Sequence, residues 1–180
     1  VVLLSNDGSL PLQPGPRRIA VIGPNADRHQ ALFGCYSFSN HVLAQHPETE
    51  LGIEAPTVLD AIRAEFSGPG VEVVFARGCA VDDDDRAGFA EAVQLAREAD
   101  LVLLVMGDHA GLFGRGTVGE GCDRDDLDLP GVQRELVQAV AETGTATVLT
   151  LLTGRPYSIA WALDSCAAVL QAFFPGEEGA

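Results

Sequence analysis

Short apolar segments rich in β-branched residues alternate along the chain with segments whose apolar residues recur every three or four positions. This alternation predicts strands separated by helices. The predicted strands are residues 18–23, 71–76, 101–106, 146–152 and 167–173. The predicted helices are residues 57–66, 85–98 and 131–142. Alternating strands and helices favour right-handed crossovers, so we expect an α/β fold, a three-layer αβα sandwich with a mostly parallel sheet, and a single domain over residues 1–180.

Two of these elements carry strong local signals. Residues 101–106 form a continuous apolar run between Asp100 and Gly107. Continuous apolarity is typical of a strand that helices cover on both faces. The helix at 57–66 begins with Thr57, a good N-cap residue, and its apolar residues lie along one face.

Two long segments interrupt the alternation, at 33–56 and 107–130. Loops of this length are uncommon in compact domains unless they have a function. In parallel sheets, ligands usually lie beyond the carboxyl ends of the strands. Because the second loop directly follows the strand at 101–106, we expect the functional site there.

Charge and hydropathy exclude several classes of protein. The chain has 26 acidic and 11 basic residues, all of the latter arginine, and a net charge of −15. Such a surface repels phosphates, so we expect neither a nucleic acid nor an anionic membrane as a partner. In the sequence, no apolar run reaches the roughly 18 residues of a membrane span, and no signal pattern opens the chain.

Cofactor and metal motifs are also missing from the sequence. Neither dinucleotide nor P-loop glycine patterns follow the strand at 18–23, and no G-x-S-x-G motif occurs. The acidic run at 123–128 lacks the glycine and the terminal glutamate of an EF-hand loop. The four cysteines lack metal-site spacing; a disulfide stays open, but we expect most to be reduced and partly buried. We predict no cofactor and no metal.

The second loop places one carboxylate, Glu120, between Gly119 and Gly121. Glycines allow a backbone to approach a ligand closely, so this glutamate can be presented at a loop tip. An exposed glutamate without a function in a flexible loop is the other interpretation of the local sequence.

Six segments, in chain order, resemble the second domain of glycoside hydrolase family 3. They are residues 2–12, 19–27, 34–37, 119–133, 154–156 and 174–179, which read VLLSNDGSLPL, IAVIGPNAD, GCYS, GEGCDRDDLDLPGVQ, GRP and FPGEEG. Each motif alone is weak evidence for the family. Six of them in the family's order, spanning essentially the whole chain, are strong evidence. The segment LFGRGT at 112–117 is most similar to bacterial β-xylosidase and β-glucosidase members.

The resemblance implies a retaining, exo-acting β-glycosidase that removes terminal sugars. An aspartate nucleophile would lie on an N-terminal barrel of the same longer protein, and Glu120 matches the general acid/base. Tyr36, Asp123 and Arg124 match substrate-binding positions near the cleft, although Tyr36 can instead pack and Arg124 can instead orient the loop through an ion pair. The expected partners are a β-linked oligosaccharide or glycoside and the barrel. Without the nucleophile, this chain alone is expected to be an inactive fragment.

Two other interpretations stay open. One is a non-catalytic module that binds carbohydrate or packs against another domain; it differs from the first only in whether Glu120 takes part in chemistry. The other is a stand-alone flavodoxin-like binding protein, which the missing nucleotide motifs disfavour.

Overall fold

The computed structural model describes residues 1–13, 15, 17–122 and 124–180. Its strands and helices, in chain order, are β1 Val2–Asn6, β2 Arg18–Ile22, α1 Val58–Glu65, β3 Glu72–Ala76, α2 Phe89–Glu98, β4 Leu101–Gly107, α3 Gln133–Ala141, β5 Thr147–Leu152, α4 Ala160–Leu163 and β6 Ala168–Gln171. A short 3-10 turn, His29–Leu32, and a π-type turn, Phe38–Val42, lie between β2 and α1.

The strands form one sheet in the order β1-β6-β5-β4-β2-β3. Strands β3, β2, β4, β5 and β6 are parallel to one another, and β1 pairs antiparallel with β6 at the edge. The mostly parallel α/β fold predicted from the sequence is therefore confirmed. From β2 the chain proceeds to β3 on one side, whereas β4, β5 and β6 proceed to the other. The strand order thus reverses between β2 and β4.

Alternate residues of the strands face two separate cores. Ala20 and Ile22 of β2 pack with α2, α3 and α4 on one face of the sheet. Ile19 and Val21 pack on the other face with Leu59 of α1 and with the segment that follows β2. The second outer layer is therefore one helix together with a long ordered loop.

Helix α1 begins as the sequence predicts. The Thr57 side chain accepts a hydrogen bond from the Asp60 N–H, and the Asp60 carboxylate accepts one from the Thr57 N–H. This reciprocal capping box satisfies backbone donors that would otherwise be unpaired.

Apart from shifts of one or two residues at element ends, three elements differ from the sequence prediction. β1 was not predicted; its residues Val2–Leu4 are exposed, so they have no alternating burial pattern. α4 was also missed. Helix α2 begins at Phe89 rather than at 85, because the side chains of Asp83 and Asp85 accept the N–H groups of Asp85 and Ala87 in turns before the helix.

All four cysteines are free, and Cys79, Cys122 and Cys166 are buried. Within the described ranges, no helix has the length and apolarity needed to cross a bilayer.

Candidate active site at the carboxyl edge of the sheet

The two long loops leave the sheet at adjacent strands, on either side of the point where the strand order reverses. Asn25, just after β2, donates its backbone N–H to the Val105 carbonyl (3.3 Å) and its side-chain amide to the Asp108 carbonyl (3.0 Å). Gly23 lies against the Val105 carbonyl in a positive-φ conformation that leaves no room for a Cβ. Both loops therefore start from one fixed position, at the switch point where α/β sheets usually bind ligands.

A fully buried glutamine fixes the exit from β4. The Gln133 Oε1 atom accepts a hydrogen bond from the Gly107 N–H (2.8 Å). Its Nε2 group donates to the carbonyls of Gly107 (2.8 Å) and Val81 (2.9 Å). α3 thereby satisfies the backbone groups of Gly107, whose φ of +140° is readily adopted only by glycine.

Asp108, the next residue, is a buried carboxylate that accepts three hydrogen bonds. Oδ1 accepts from the hydroxyls of Thr117 (2.7 Å) and Tyr157 (2.6 Å), and Oδ2 accepts from the Gly154 N–H (2.9 Å). Burial raises the pKa of Tyr157, and its hydrogen bond to Asp108 raises it further. The phenol therefore stays protonated and continues to donate to Asp108.

The loop after Asp108 folds back on itself through backbone hydrogen bonds. The Thr117 N–H donates to the His109 carbonyl, the Gly111 N–H to the Val118 carbonyl and the Phe113 N–H to the Glu120 carbonyl, each at 2.9 Å. The backbone of Glu120 is thus held by the first half of its own loop.

Glycines on both sides of Glu120 make this packing feasible. Gly119 has φ +124°, and a Cβ at that position would overlap the Gly111 carbonyl oxygen and come within 2.9 Å of the Cys35 Cβ. Gly121 has φ +72°. The contact with Cys35 brings the loop after β4 against the loop after β2.

The Glu120 side chain is exposed, and its carboxylate accepts a hydrogen bond from the Tyr36 hydroxyl. The Tyr36 ring is 66% exposed and meets the His41 ring edge to face, with 5.9 Å between centroids. Phe113, whose φ is +57°, is 71% exposed. A solvent-facing carboxylate thus contacts an exposed aromatic side chain, an arrangement that can bind a sugar and exchange a proton with it.

Of the candidate site residues that the structure describes, Glu120 and Tyr36 are in contact. Arg124 makes an ion pair with Asp82 instead, with 3.1 Å between Nη2 and Oδ1. This contact anchors the end of the loop to the segment after β3. Asp123 lies outside the described residues.

The residues that support the Glu120 loop, Arg155 and Asp108, were not predicted from the sequence. Arg155 donates to the carbonyls of Thr117 (3.2 Å) and Cys122 (3.1 Å). Arg155 belongs to a motif used in the resemblance, but the motif alone did not indicate this role. The sequence does contain a signal that could have identified Asp108, because this carboxylate comes directly after a continuously apolar strand.

The acidic runs form turns. The Asp126 carboxylate accepts the Asp128 N–H (3.0 Å), as Asp83 does for Asp85. In the part of the chain that the structure describes, no three histidine, cysteine, aspartate or glutamate side chains converge as metal ligands.

Comparison with known proteins gives the family. The model of the glycosyl hydrolase family 3 C-terminal domain matches residues 1–180. A β-xylosidase of Formosa agariphila is 35% identical over 98% of this chain and 23% of its own length. A periplasmic β-glucosidase of Salmonella typhimurium is 30% identical over 99% of this chain and 24% of its own.

The fold agrees with these relatives. The solved structure of a β-glucosidase involved in saponin metabolism from intestinal bacteria superposes with a TM-score of 0.83 and 27% identity, over 98% of this chain and 28% of that one. The chain thus spans about a quarter of the length of these relatives. The 180 residues belong to the C-terminal domain family of glycoside hydrolase family 3.

Proposed function

We propose that this domain supplies the general acid/base, Glu120, to a retaining, exo-acting β-glycosidase of the β-glucosidase and β-xylosidase type. The nucleophile is an aspartate on an N-terminal barrel of the same longer protein. The substrates are β-linked oligosaccharides or glycosides, from which the enzyme removes the terminal non-reducing sugar. Residues 1–180 act as one domain in this arrangement.

The observation that carries the proposal is the placement of the Glu120 carboxylate. It is exposed at the carboxyl edge of the sheet, on a loop held by hydrogen bonds and tightly packed glycines. The relatives that share the fold and family are named as β-xylosidases and β-glucosidases, and each is about four times as long as this chain. Their additional length is enough for a second domain.

Retention of configuration requires two carboxyl groups about 5–5.5 Å apart across the scissile bond. Glu120 first donates a proton to the leaving oxygen while the nucleophile attacks the anomeric carbon. It then accepts a proton from the water that hydrolyses the glycosyl-enzyme intermediate. An exposed carboxylate at the edge of this domain can meet a nucleophile on a facing domain, whereas a buried one cannot.

The remaining candidate residues take supporting roles. Tyr36 contacts the Glu120 carboxylate and borders the sugar, and Arg124 orients the end of the loop through Asp82. Asp123 is proposed as a substrate-binding residue on its match to the family motif alone.

Azide rescue of Glu120→Ala in the longer protein tests the assignment. With an aryl β-glycoside that has a good leaving group, the variant should form the glycosyl-enzyme and then hydrolyse it slowly. Azide needs no general base, so it should restore turnover and yield a β-glycosyl azide. The product is identified by NMR.

Glu142→Ala is the matched control, because Glu142 is an exposed glutamate beyond α3, at the amino edge of the sheet. It should keep unaltered turnover, with no response to azide. If Glu120→Ala instead behaves like this control, also on substrates with poor leaving groups, the domain is a non-catalytic carbohydrate-binding or packing module.

A further inference from the structure

A polar crevice of about 320 Å³ opens beside the Glu120 loop, at the switch point between β2 and β4. Its charged and ionisable lining comes from the three segments that follow β2, β3 and β4. The crevice is lined by Arg28, Arg77, Asp82 and His109, together with Gly114 and Gly116. Glycine backbone on one wall allows a bound group to approach closely.

The crevice concentrates positive charge in a strongly acidic protein. Four other arginines are paired with carboxylates: Arg18, Arg86, Arg124 and Arg134. Arg28 and Arg77 have no carboxylate within 4.0 Å among the described residues, although the chain carries 26 acidic residues against 11 basic ones. Burial, and then the charge of Arg77, lowers the pKa of Arg28. Two arginine side chains without a carboxylate partner among the described residues therefore line one crevice.

The neighbouring acidic groups are already engaged. Asp82 lines the same crevice, but its carboxylate makes an ion pair with Arg124. The Asp108 carboxylate is buried and accepts hydrogen bonds from Thr117, Tyr157 and Gly154. His109 supplies no negative charge in either protonation state, and desolvation and then the nearby Arg28 lower its pKa. The field in the crevice thus favours an anion.

We propose that this crevice is a carboxylate-binding site in which Arg28 and Arg77 hold the anion. A guanidinium group matches a carboxylate with two parallel N–H donors, and partial burial strengthens the pairing. The carboxylate comes either from an acidic sugar, such as a uronate, or from an aspartate or glutamate elsewhere in the longer protein. The site does not depend on the role of Glu120.

Titration of the chain with sodium D-glucuronate, and with D-glucose as the neutral match, tests the site. Glucuronate should bind saturably by calorimetry and should shift the side-chain N–H signals of Arg28 and Arg77 in NMR spectra, whereas glucose should do neither. The double variant R28M/R77M should bind glucuronate at least about 10-fold more weakly. R28K/R77K keeps the charge without the planar fork, so its affinity should be intermediate.

R63M is the matched control, because Arg63 is exposed on α1, outside the crevice lining. It loses one positive charge and should bind glucuronate like the unmodified chain. If R28M/R77M does not fold, the single variant R77M replaces it in the binding test, because Arg77 is exposed and its substitution leaves the core intact. Glucuronate that binds no better than glucose, or equally well to the variants, overturns the proposal.

The longer protein distinguishes the two sources of the carboxylate. If an acidic ligand fills the crevice, the longer protein should bind glucuronate as the 180-residue chain does. The R28M/R77M variant of the longer protein should then lose this binding. If its own side chain fills the crevice, glucuronate should be excluded, and R28M/R77M should lower the melting temperature more than R63M does. If the longer protein neither binds glucuronate nor loses thermal stability in R28M/R77M, the proposed carboxylate-binding site is wrong.

Discussion

The Tyr36 hydroxyl donates a hydrogen bond to the Glu120 carboxylate, although 84 positions separate the two residues in the chain. Tyr36 lies in the long segment between β2 and α1, and Glu120 in the one between β4 and α3. Both segments lack regular periodicity, and both leave the sheet at its switch point. This hydrogen bond therefore joins the two loops at the carboxylate proposed to perform acid/base catalysis.

Tyr36→Phe in the longer protein should impair catalysis by misplacing the Glu120 carboxylate. The misplaced acid should raise the activation barrier by about 1 kcal/mol, which corresponds to a roughly 5-fold lower kcat/KM. The loss should be largest for alkyl β-glycosides, whose leaving groups need protonation. It should nearly vanish for dinitrophenyl glycosides, whose leaving groups do not. An equal loss on both substrates would mean that Tyr36 binds the sugar rather than orienting the acid.

The second tyrosine gives a matched comparison for stability. Tyr157 is buried and donates to the buried Asp108 carboxylate. Tyr157→Phe should lower the free energy of unfolding by about 1.5–3 kcal/mol, as expected for a buried hydrogen bond to a charge. Tyr36→Phe removes an exposed hydroxyl and should change it by less than about 0.5 kcal/mol. Urea unfolding of both variants checks this; equal effects would argue against a structural role for Asp108.

The same phenol should make the fold sensitive to alkaline pH. Burial raises the pKa of Tyr157 in the folded state, whereas in the unfolded chain the phenol titrates near its ordinary value of about 10. Above that pH the unfolded chain releases a proton that the folded one retains, so stability falls as pH rises. The slope from this group approaches about 1.4 kcal/mol per pH unit. Unfolding free energies at pH 9–11 should fall less steeply for Tyr157→Phe than for the unmodified chain.

The sequence was sufficient for the parallel strands because their signal is local. The apolar run at 101–106 became the fully buried strand β4, and Thr57 capped α1. β1 lacked such a signal because most of its side chains are exposed and its partner in the sheet, β6, lies at the other end of the chain.

The candidate site was predicted less completely. Glu120 was selected by its flanking glycines and by resemblance, and its role stays a prediction. The Asp108 network could not be predicted, since Thr117 lies in the loop after β4 whereas Gly154 and Tyr157 follow β5, and these two segments meet only after the sheet has formed. Long-range polar contacts of this kind leave no periodic pattern in the sequence.

Gly119→Ala should disrupt the loop that presents Glu120. An alanine would require the unfavourable positive φ, and its Cβ would overlap the Gly111 carbonyl oxygen. Gly8→Ala is the control, since Gly8 has φ +108° but open space around it, so only the backbone cost of about 1–2 kcal/mol applies. Gly119→Ala should cost about 1–3 kcal/mol more in unfolding free energy, and it should also reduce glycosidase activity of the longer protein. If both variants lose the same stability, the loop is not closely packed at Gly119.

The isolated 180 residues should not hydrolyse aryl β-glycosides at a measurable rate, because a retaining mechanism needs a nucleophile in addition to Glu120. The longer protein should hydrolyse them, and the two should be compared at equal molar concentration. Mixing the chain with its separately produced N-terminal part offers a stricter test: activity should return with that part and depend on Glu120, but not on Glu142. Hydrolysis by the chain alone would require a second catalytic carboxylate within it, and would contradict the division of the two catalytic groups between domains.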